Sequence, residues 1–424
     1  KKAAEKNFVE NEKKAAFESA LAAAKEMESG AEEARKEAAM AAVVAAYDAL
    51  DAAEDVWDYT YDYITGVKGE PLYDTEGKQV QAHGGQVQKI AYEYDYDGDG
   101  KIAEDEKEYW YWIGEDRSNG YRPCPGIHAY ISKDLYNWKD MGNVLKTVPN
   151  WETFTADPYF TALYGKLPQE DQERIYADIW TKDNASDGGC VIERPKMLYN
   201  EKNDNYVIWF HADGQTPDAE DSSGNYSKSK AGVAVSDSPF GPFRLLGSYL
   251  LNYNPDADHG FDKETGGHVR DMNVFKDDDK TAYVLYSSDG NETMHIARLN
   301  DDYTHIAQPE NDKAVEGVDF SRNFIGESRE APAMFKYHGK YYLITSGCTG
   351  WDPNRASYAV ADRPLGPWTT VGDPCTDTGS DTTYQTQSTC VFPVDAQNGK
   401  FIYMGDRWTR STLHDSRYVW IPVE

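Results

Sequence analysis

Positive charge, cysteine and long apolar runs are all scarce in this chain, and each scarcity removes a class of function. Of its 424 residues only 43 are Lys or Arg against 73 Asp or Glu, giving a net charge of -30 and a pI near 4.6. Such a surface repels nucleic acid and anionic membrane, so neither is expected as a partner, whereas a neutral polymer is unaffected. No stretch approaches the roughly 18 consecutive apolar residues that a membrane helix needs, so no span is expected. The opening KKAAEKNFVE lacks the apolar core of a signal peptide, so any export signal is expected to have been removed or never to have existed. Five cysteines (Cys124, Cys190, Cys348, Cys375 and Cys390) without CxxC spacing exclude a disulfide framework or a zinc site as the organising principle. One or two bridges stay open, with Cys375 and Cys390 closest in sequence.

Aromatics, by contrast, are abundant: 13% of the chain, with 31 Tyr and 11 Trp. That bias suits β-structure and also stacking on sugar rings. Residues 1–57 stand apart, rich in Ala, Glu and Lys, free of Pro, and apolar at helical spacing. They predict a helical hairpin, 5–28 and 31–56, broken at Ser29-Gly30. Its blander reading is a spacer or the tail of a neighbouring domain.

From 58 to 424 strand character dominates, and one unit recurs five times. In each, a polar residue precedes a short hydrophobic strand and an aromatic strand follows after a turn. The polar residues are His83 ahead of QVQKIAYEY, Glu193 in ERPKMLY, Asp271 in RDMNVFKDDDK, Glu330 in REAPAMFKYHGK and Gln387 in QSTCVFPV. The interval to the aromatic strand is nearly constant for Glu193 to Tyr206, Asp271 to Tyr283, Glu330 to Tyr341 and Gln387 to Phe401. A shared pattern from Val235 to Phe243 and from Val360 to Trp368 marks the same repetition independently. The expected fold is therefore all-β, a five-bladed propeller preceded by the helical hairpin, with the five polar residues converging on one axis.

Two insertions interrupt the rhythm. Residues 147–190 hold a helical stretch near QEDQERIYADIW and are expected to cover one face. Residues 95–106 match the EF-hand calcium loop: Asp95, Asp97 and Asp99 stand first, third and fifth, Gly100 sixth, the carbonyl of Lys101 seventh and Glu106 twelfth. Strand-like flanks make a structural Ca2+ the expectation rather than a sensor. The run Asp277 to Asp279 lacks that spacing and reads as a tight turn.

Three of the five axial residues are carboxylic acids, the groups that general acid and base chemistry on a glycosidic bond requires. Crowded carboxylates cannot all ionise easily, so one is expected to keep its proton, and Glu330 is the first candidate. Glu115, ending the first aromatic strand, is a further candidate for the same mouth. His83 could equally hydrogen-bond within the axis, and the three acids could be no more than satisfied polar residues lining it.

The strings RDMNVFKDDDKTAYVLY and REAPAMFKYHGKYYLITSG resemble the third- and fourth-blade signatures of glycoside hydrolase family 43, five-bladed propellers that act with inversion. QAHGG, YWYWIGED, ERPKMLYN, SGCTGWDPN, TYQTQST, MGDRW and SRYVWIPV resemble more narrowly that family's exo-β-1,3-galactanase subfamily. The resemblance implies Glu330 as general acid, Asp271 raising its pKa, and Glu193 and Glu115 binding hydroxyls of a terminal galactose. It places Gln387 where the subfamily presents its base candidate. Tyr226, Asn291, Thr349 and Trp351 fall in segments where relatives contact sugar, and His83 is a further candidate to touch the substrate. Most family members carry an aspartate base in that blade, where this chain has His83-Gly84-Gly85. The expected activity is release of galactose from β-1,3-galactan, the backbone of arabinogalactan, by a monomeric, extracellular bacterial enzyme. The alternatives are another family activity, such as arabinofuranosidase or xylosidase, or a galactan-binding propeller without catalysis.

Overall fold

The computed structural model describes residues 71–182, 188–217, 228–253, 266–376 and 378–423, with the backbone of 261–262. The expected helical hairpin over 1–57 lies outside the described residues. Alternating apolar residues bounded by Gly, Asp and Asn turns give consecutive antiparallel strands, and these gather into five blade sheets beside a two-stranded ribbon of Phe261–Asp262 with Gly266–Gly267. Blade I runs from the innermost strand His83–Ala91 through Glu108–Glu115 and Gly126–Ser132 to Lys139–Lys146. The innermost strands of the others are Cys190–Asn200 in blade II, Met272–Lys276 in III, Arg329–Tyr337 in IV and Gln387–Asp395 in V. Blades II to IV also have four strands; blade V has three among the described residues. Each innermost strand touches its two neighbours around the ring, which closes between blades V and I.

Burial explains the closure. Five apolar clusters fill the five gaps between adjacent blades. In the gap between V and I, Trp420 lies 5.3 Å from Trp112 and 6.0 Å from Trp138 between ring centres. The Tyr418 hydroxyl donates to the Val80 carbonyl and accepts from the Ala82 N–H, both at 2.9 Å, so the seam is stitched by polar as well as aromatic contacts. The repeated pattern noted above forms the same turn twice, with Gly241 and Gly366 at φ 73° and 82°, where a Cβ would be strained.

The insertion after blade I forms three short helices, Trp151–Ala156, Pro158–Tyr164 and Gln169–Ile179. Rather than covering an end of the axis, it packs on the flank: Tyr164 accepts the Leu245 N–H at 3.0 Å and Arg174 donates to the Leu246 carbonyl at 3.1 Å, both on the outer strand Arg244–Tyr249 of blade II. Its apolar faces left it no other place, because Phe154, Phe160, Ile175 and Ile179 are buried in the cluster between blades I and II. None of the five cysteines is in a disulfide, so Cys375 and Cys390 form no bridge. Among the described residues no helix is long and apolar enough to cross a membrane.

Candidate active site

At one end of the axis a cavity of about 230 Å³ is lined by Glu115, Glu193, Asp271, Asn291, Glu330, Trp351 and Gln387, with Arg117, Arg194, Arg270, Cys348 and Trp408 among them. A repeated backbone device aims the polar side chains there. In blades I, II and IV the residue after the polar position sits in the left-handed region, Gly84 at φ 57°, Arg194 at 56° and Ala331 at 52°. In each the pairing register slips just beyond, between His83 and Gln86, Glu193 and Lys196, and Glu330 and Ala333. Such a bulge bends the strand and re-aims one side chain. For Arg194 and Ala331 the conformation costs about 1–3 kcal/mol each, which the closed ring must supply.

Blade I departs from the pattern in what it presents. His83 is fully buried, 3.3 Å from the Tyr418 hydroxyl and stacked on its ring, and is not among the residues lining the cavity. Gly84 beside it offers no side chain, and a Cβ there would overlap the Glu115 carboxylate. The room is used by Glu115 itself, from the second strand of the blade, whose Oε1 accepts the Arg194 N–H at 2.8 Å. That is the physical content of His83-Gly84-Gly85: the first-blade acid arrives from the neighbouring strand.

Every acid but one has its own cation. Arg117 donates to Glu115 through Nε at 2.8 Å and lies 3.4 Å from Glu193 Oε1. Arg194 pairs with Asp271 at 2.9 Å. Glu193 also faces His211 Nδ1 at 3.1 Å. Burial opposes ionisation of Glu193, yet the His211 hydrogen bond and the charges of His211 and Arg117 outweigh it and hold its pKa below the ordinary value. Glu330 has no such partner: it accepts from the Gln387 amide at 2.9 Å and from Asn291 Nδ2 at 3.4 Å. Burial first, then the Asp271 charge, push its pKa up to about 8. At neutral pH it therefore carries a proton into a cavity where a leaving oxygen can take it.

Gln387 is oriented by its neighbours. Its Oε1 takes hydrogen bonds from Arg194 and, at 3.0 Å, from Trp408 Nε1, which leaves the amide NH2 for Glu330 and for Ser346 Oγ at 3.2 Å. An inverting acid and base stand roughly 6.5–9.5 Å apart to admit a water. Gln387 touches Glu330, so in this arrangement it holds the acid in place.

Of the other sequence candidates, Trp351 stands edge-on to Trp408 at 5.2 Å and to Tyr121 at 6.0 Å and forms a wall of the cavity. Thr349 is not among the lining residues; its hydroxyl donates to the Asp352 carbonyl and shapes the turn that carries Trp351. Tyr226 lies outside the described residues. Arg117, Arg194 and Trp408 were missed, although two of them are neighbours of singled-out acids in IGEDR and ERPK and the third ends MGDRW.

The loop at 95–106 brings one oxygen from each of Asp95, Asp97 and Asp99 within 4.8 Å of one another. Asp95 accepts from the Gly100 N–H at 2.8 Å, and that bond is the main reason its pKa is lowered. Glu106 is turned inward, accepting the Ala103 and Tyr96 N–H groups at 3.0 Å and facing Lys133 Nζ at 3.4 Å. Three aspartates thus fit a hard cation as they stand, while Glu106 would have to leave its backbone donors to join them.

The geometry agrees with what known proteins show. The model of glycosyl hydrolases family 43 matches residues 195–404. A solved family 43 β-1,3-galactosidase, bound to galactodeoxynojirimycin, is 32% identical, with 84% of this chain and 94% of that one aligned at a TM-score of 0.63. The exo-β-1,3-galactanase of Clostridium thermocellum is 31% identical over 84% of this chain and 61% of its own, at 0.59. Among curated proteins, a xylosidase/arabinosidase of Bacteroides ovatus is 32% identical over 34% of this chain and 47% of its own length. The chain spans about half the length of the curated relatives that head that comparison. With a close structural counterpart across nearly the whole of a solved relative, the chain belongs to glycosyl hydrolases family 43.

Proposed function

We propose that this propeller is an exo-acting β-1,3-galactanase that removes galactose from the non-reducing end of β-1,3-galactan, the arabinogalactan backbone, with inversion. The observation that carries the reading is the single proton-bearing carboxyl, Glu330, in a cavity large enough for about one sugar ring and otherwise lined by paired charges. Solved relatives named for activity on β-1,3-linked galactose support the choice of sugar. In this reading Glu330 protonates the leaving oxygen, Asp271 raises its proton affinity, and Glu193 and Glu115 accept galactose hydroxyls. Gln387 steadies the acid in the free enzyme, while Trp351, Trp408 and Asn291 wall the ring.

Curated relatives named as xylosidases and arabinosidases favour a second reading, cleavage of pentosides. Purified protein incubated with β-1,3-galactotriose, xylotriose and an arabinofuranoside separates them. Free galactose from the first alone, appearing as the α anomer in early proton NMR spectra, is the expected result; pentose release, or no product from any, overturns it. The same reading places the enzyme outside the cell, where arabinogalactan is met, and assigns Asp95, Asp97, Asp99, the Lys101 carbonyl and Glu106 to a structural calcium ion.

A further inference from the structure

Behind the cavity a buried histidine spans two acids. His211 lies on the second strand of blade II, Asn205–Gly214, directly across the ladder from Glu193. It is fully buried, with Nδ1 3.1 Å from Glu193 Oε2 and Nε2 2.9 Å from Asp213 Oδ2. A neutral imidazole has one N–H, so one ring nitrogen would then meet a carboxylate lone pair to lone pair. Asp213 cannot relieve this by taking a proton, because its oxygens already accept from the N–H groups of Gly214, Lys228 and Ser229 and from Ser229 Oγ. Glu193 has Arg117 on its other oxygen. An imidazolium, with a proton on each nitrogen, suits both carboxylate contacts at once.

We propose that His211 is a positioning residue of the sugar pocket: as an imidazolium clamped between Asp213 and Glu193, it keeps Glu193 ionised and aimed into the cavity as an acceptor for sugar hydroxyls. This rests on the reading of Glu193 as a hydroxyl acceptor. The groups facing the pair are Arg117 and Asp213, with an Asp271 oxygen within 4.8 Å and Glu330 farther across the cavity. The two carboxylates outweigh burial and push the pKa of His211 up to about 10, in keeping with the geometry. Glu193, His211 and Asp271 are also close enough to share a metal ion, but Arg117 beside Glu193 and Arg194 beside Asp271 already supply positive charge there. The clamp has a further anchor, since Asp213 binds both Gly214 and the Lys228–Ser229 backbone, the two ends of the chain segment that carries Tyr226.

Two measurements on the intact protein test this. In nitrogen-15 NMR spectra of wild type, two imidazoles should keep both N–H protons through pH 7–8, His211 and also His128, which lies between Asp116 and Asp140; the His211 signal does not depend on which glycoside is cleaved. A neutral His211 tautomer at pH 7–8, or a stoichiometric metal ion bound at His211, overturns the proposal even if galactose is released as expected. With β-1,3-galactotriose as substrate, His211→Gln keeps a donor but removes the charge. It should raise KM about tenfold at low pH and move the acid limb of kcat/KM upward by about one unit, with kcat within about twofold. The same substitution in a Glu193→Gln background should add no pH shift. An acid limb unmoved in His211→Gln, or a loss of kcat at constant KM, also overturns it. Should that variant not fold, the wild-type spectrum still decides.

Discussion

The two acidic clusters of this molecule are built from the same side chains and behave in opposite ways. At the axis Glu115, Glu193 and Glu330 are 1%, 6% and 9% exposed, and the charges of Glu115 and Glu193 are met by the side chains of Arg117 and His211. In the loop at 95–106 the aspartates stand toward water and their charges are met by N–H groups of their own turn. Burial makes the axial cluster sensitive to each partner, because an ionised carboxylate that loses its cation cannot turn to solvent. Exposure makes the loop tolerant, since water replaces whatever is removed. One consequence is visible in Glu330, the axial acid without a cation, which keeps its proton where Asp95 gives its proton up more readily than usual. Chemistry is therefore expected at the axis and support from the loop.

The contrast is sharpest at Glu330. Glu330→Gln preserves shape and the contact with Gln387 but has no proton to give, and loss of a general acid typically costs about 10²–10⁴ in rate. Galactose release from β-1,3-galactotriose should fall at least a hundredfold while galactose binding, followed by calorimetry, persists. A variant within tenfold of wild type would show that the axial cluster is no more chemical than the loop.

A smaller effect is expected from Asp271→Asn. The charge of Asp271 is the second cause, after burial, of the raised pKa of Glu330, and the freed Arg194 would press in the same direction. Glu330 must be protonated to act, so activity is lost as pH rises through its folded-state pKa. Removing the neighbour lowers that value and should bring the alkaline limb of kcat/KM to lower pH, by roughly one unit. Profiles from pH 5 to 9 that superimpose on wild type would detach Asp271 from the acid.

How these clusters could be read differs just as much. The loop is local, and every acid in it was legible from spacing alone, because its partners are its own backbone. The five-fold unit was legible too, since alternation and aromatic strands repeat in phase. What the repeat could not reveal is the bulge: nothing in Glu193-Arg194 or Glu330-Ala331 marks a left-handed residue, which closure of the ring imposes. Nor does phase reveal depth. His83 has the same place in its unit as Glu193 in its own, yet the seam between blades V and I buries it under Tyr418, and Glu115 takes its place at the mouth. The pairings of Arg194 with Asp271 and Gln387 cross from blade II to blades III and V, and no local pattern carries such information.

The smallest effect is expected at the loop, and it tests the other half of the contrast. If calcium binds Asp95, Asp97 and Asp99, it stabilises only the folded hairpin between His83–Ala91 and Glu108–Glu115, so the folded state gains in proportion to the logarithm of free ion over its dissociation constant. For a domain of this size a hundredfold excess corresponds to a rise in melting temperature of roughly 2–6 °C. EDTA should remove that increment, and Asp95→Ala with Asp97→Ala should lack it even with calcium present. Glu106 provides an internal check. It is bound to the Ala103 and Tyr96 N–H groups without an ion, so Glu106→Ala should lower the melting temperature in EDTA as well, whereas the paired aspartate substitutions should change little there. Hydrolysis measured well below the transition should be unaltered by chelation, because the loop reaches the cavity only through the strand that ends in Glu115. A melting curve indifferent to both calcium and EDTA would make the loop a solvated turn, and a loss of turnover on chelation at low temperature would erase the division between the two clusters.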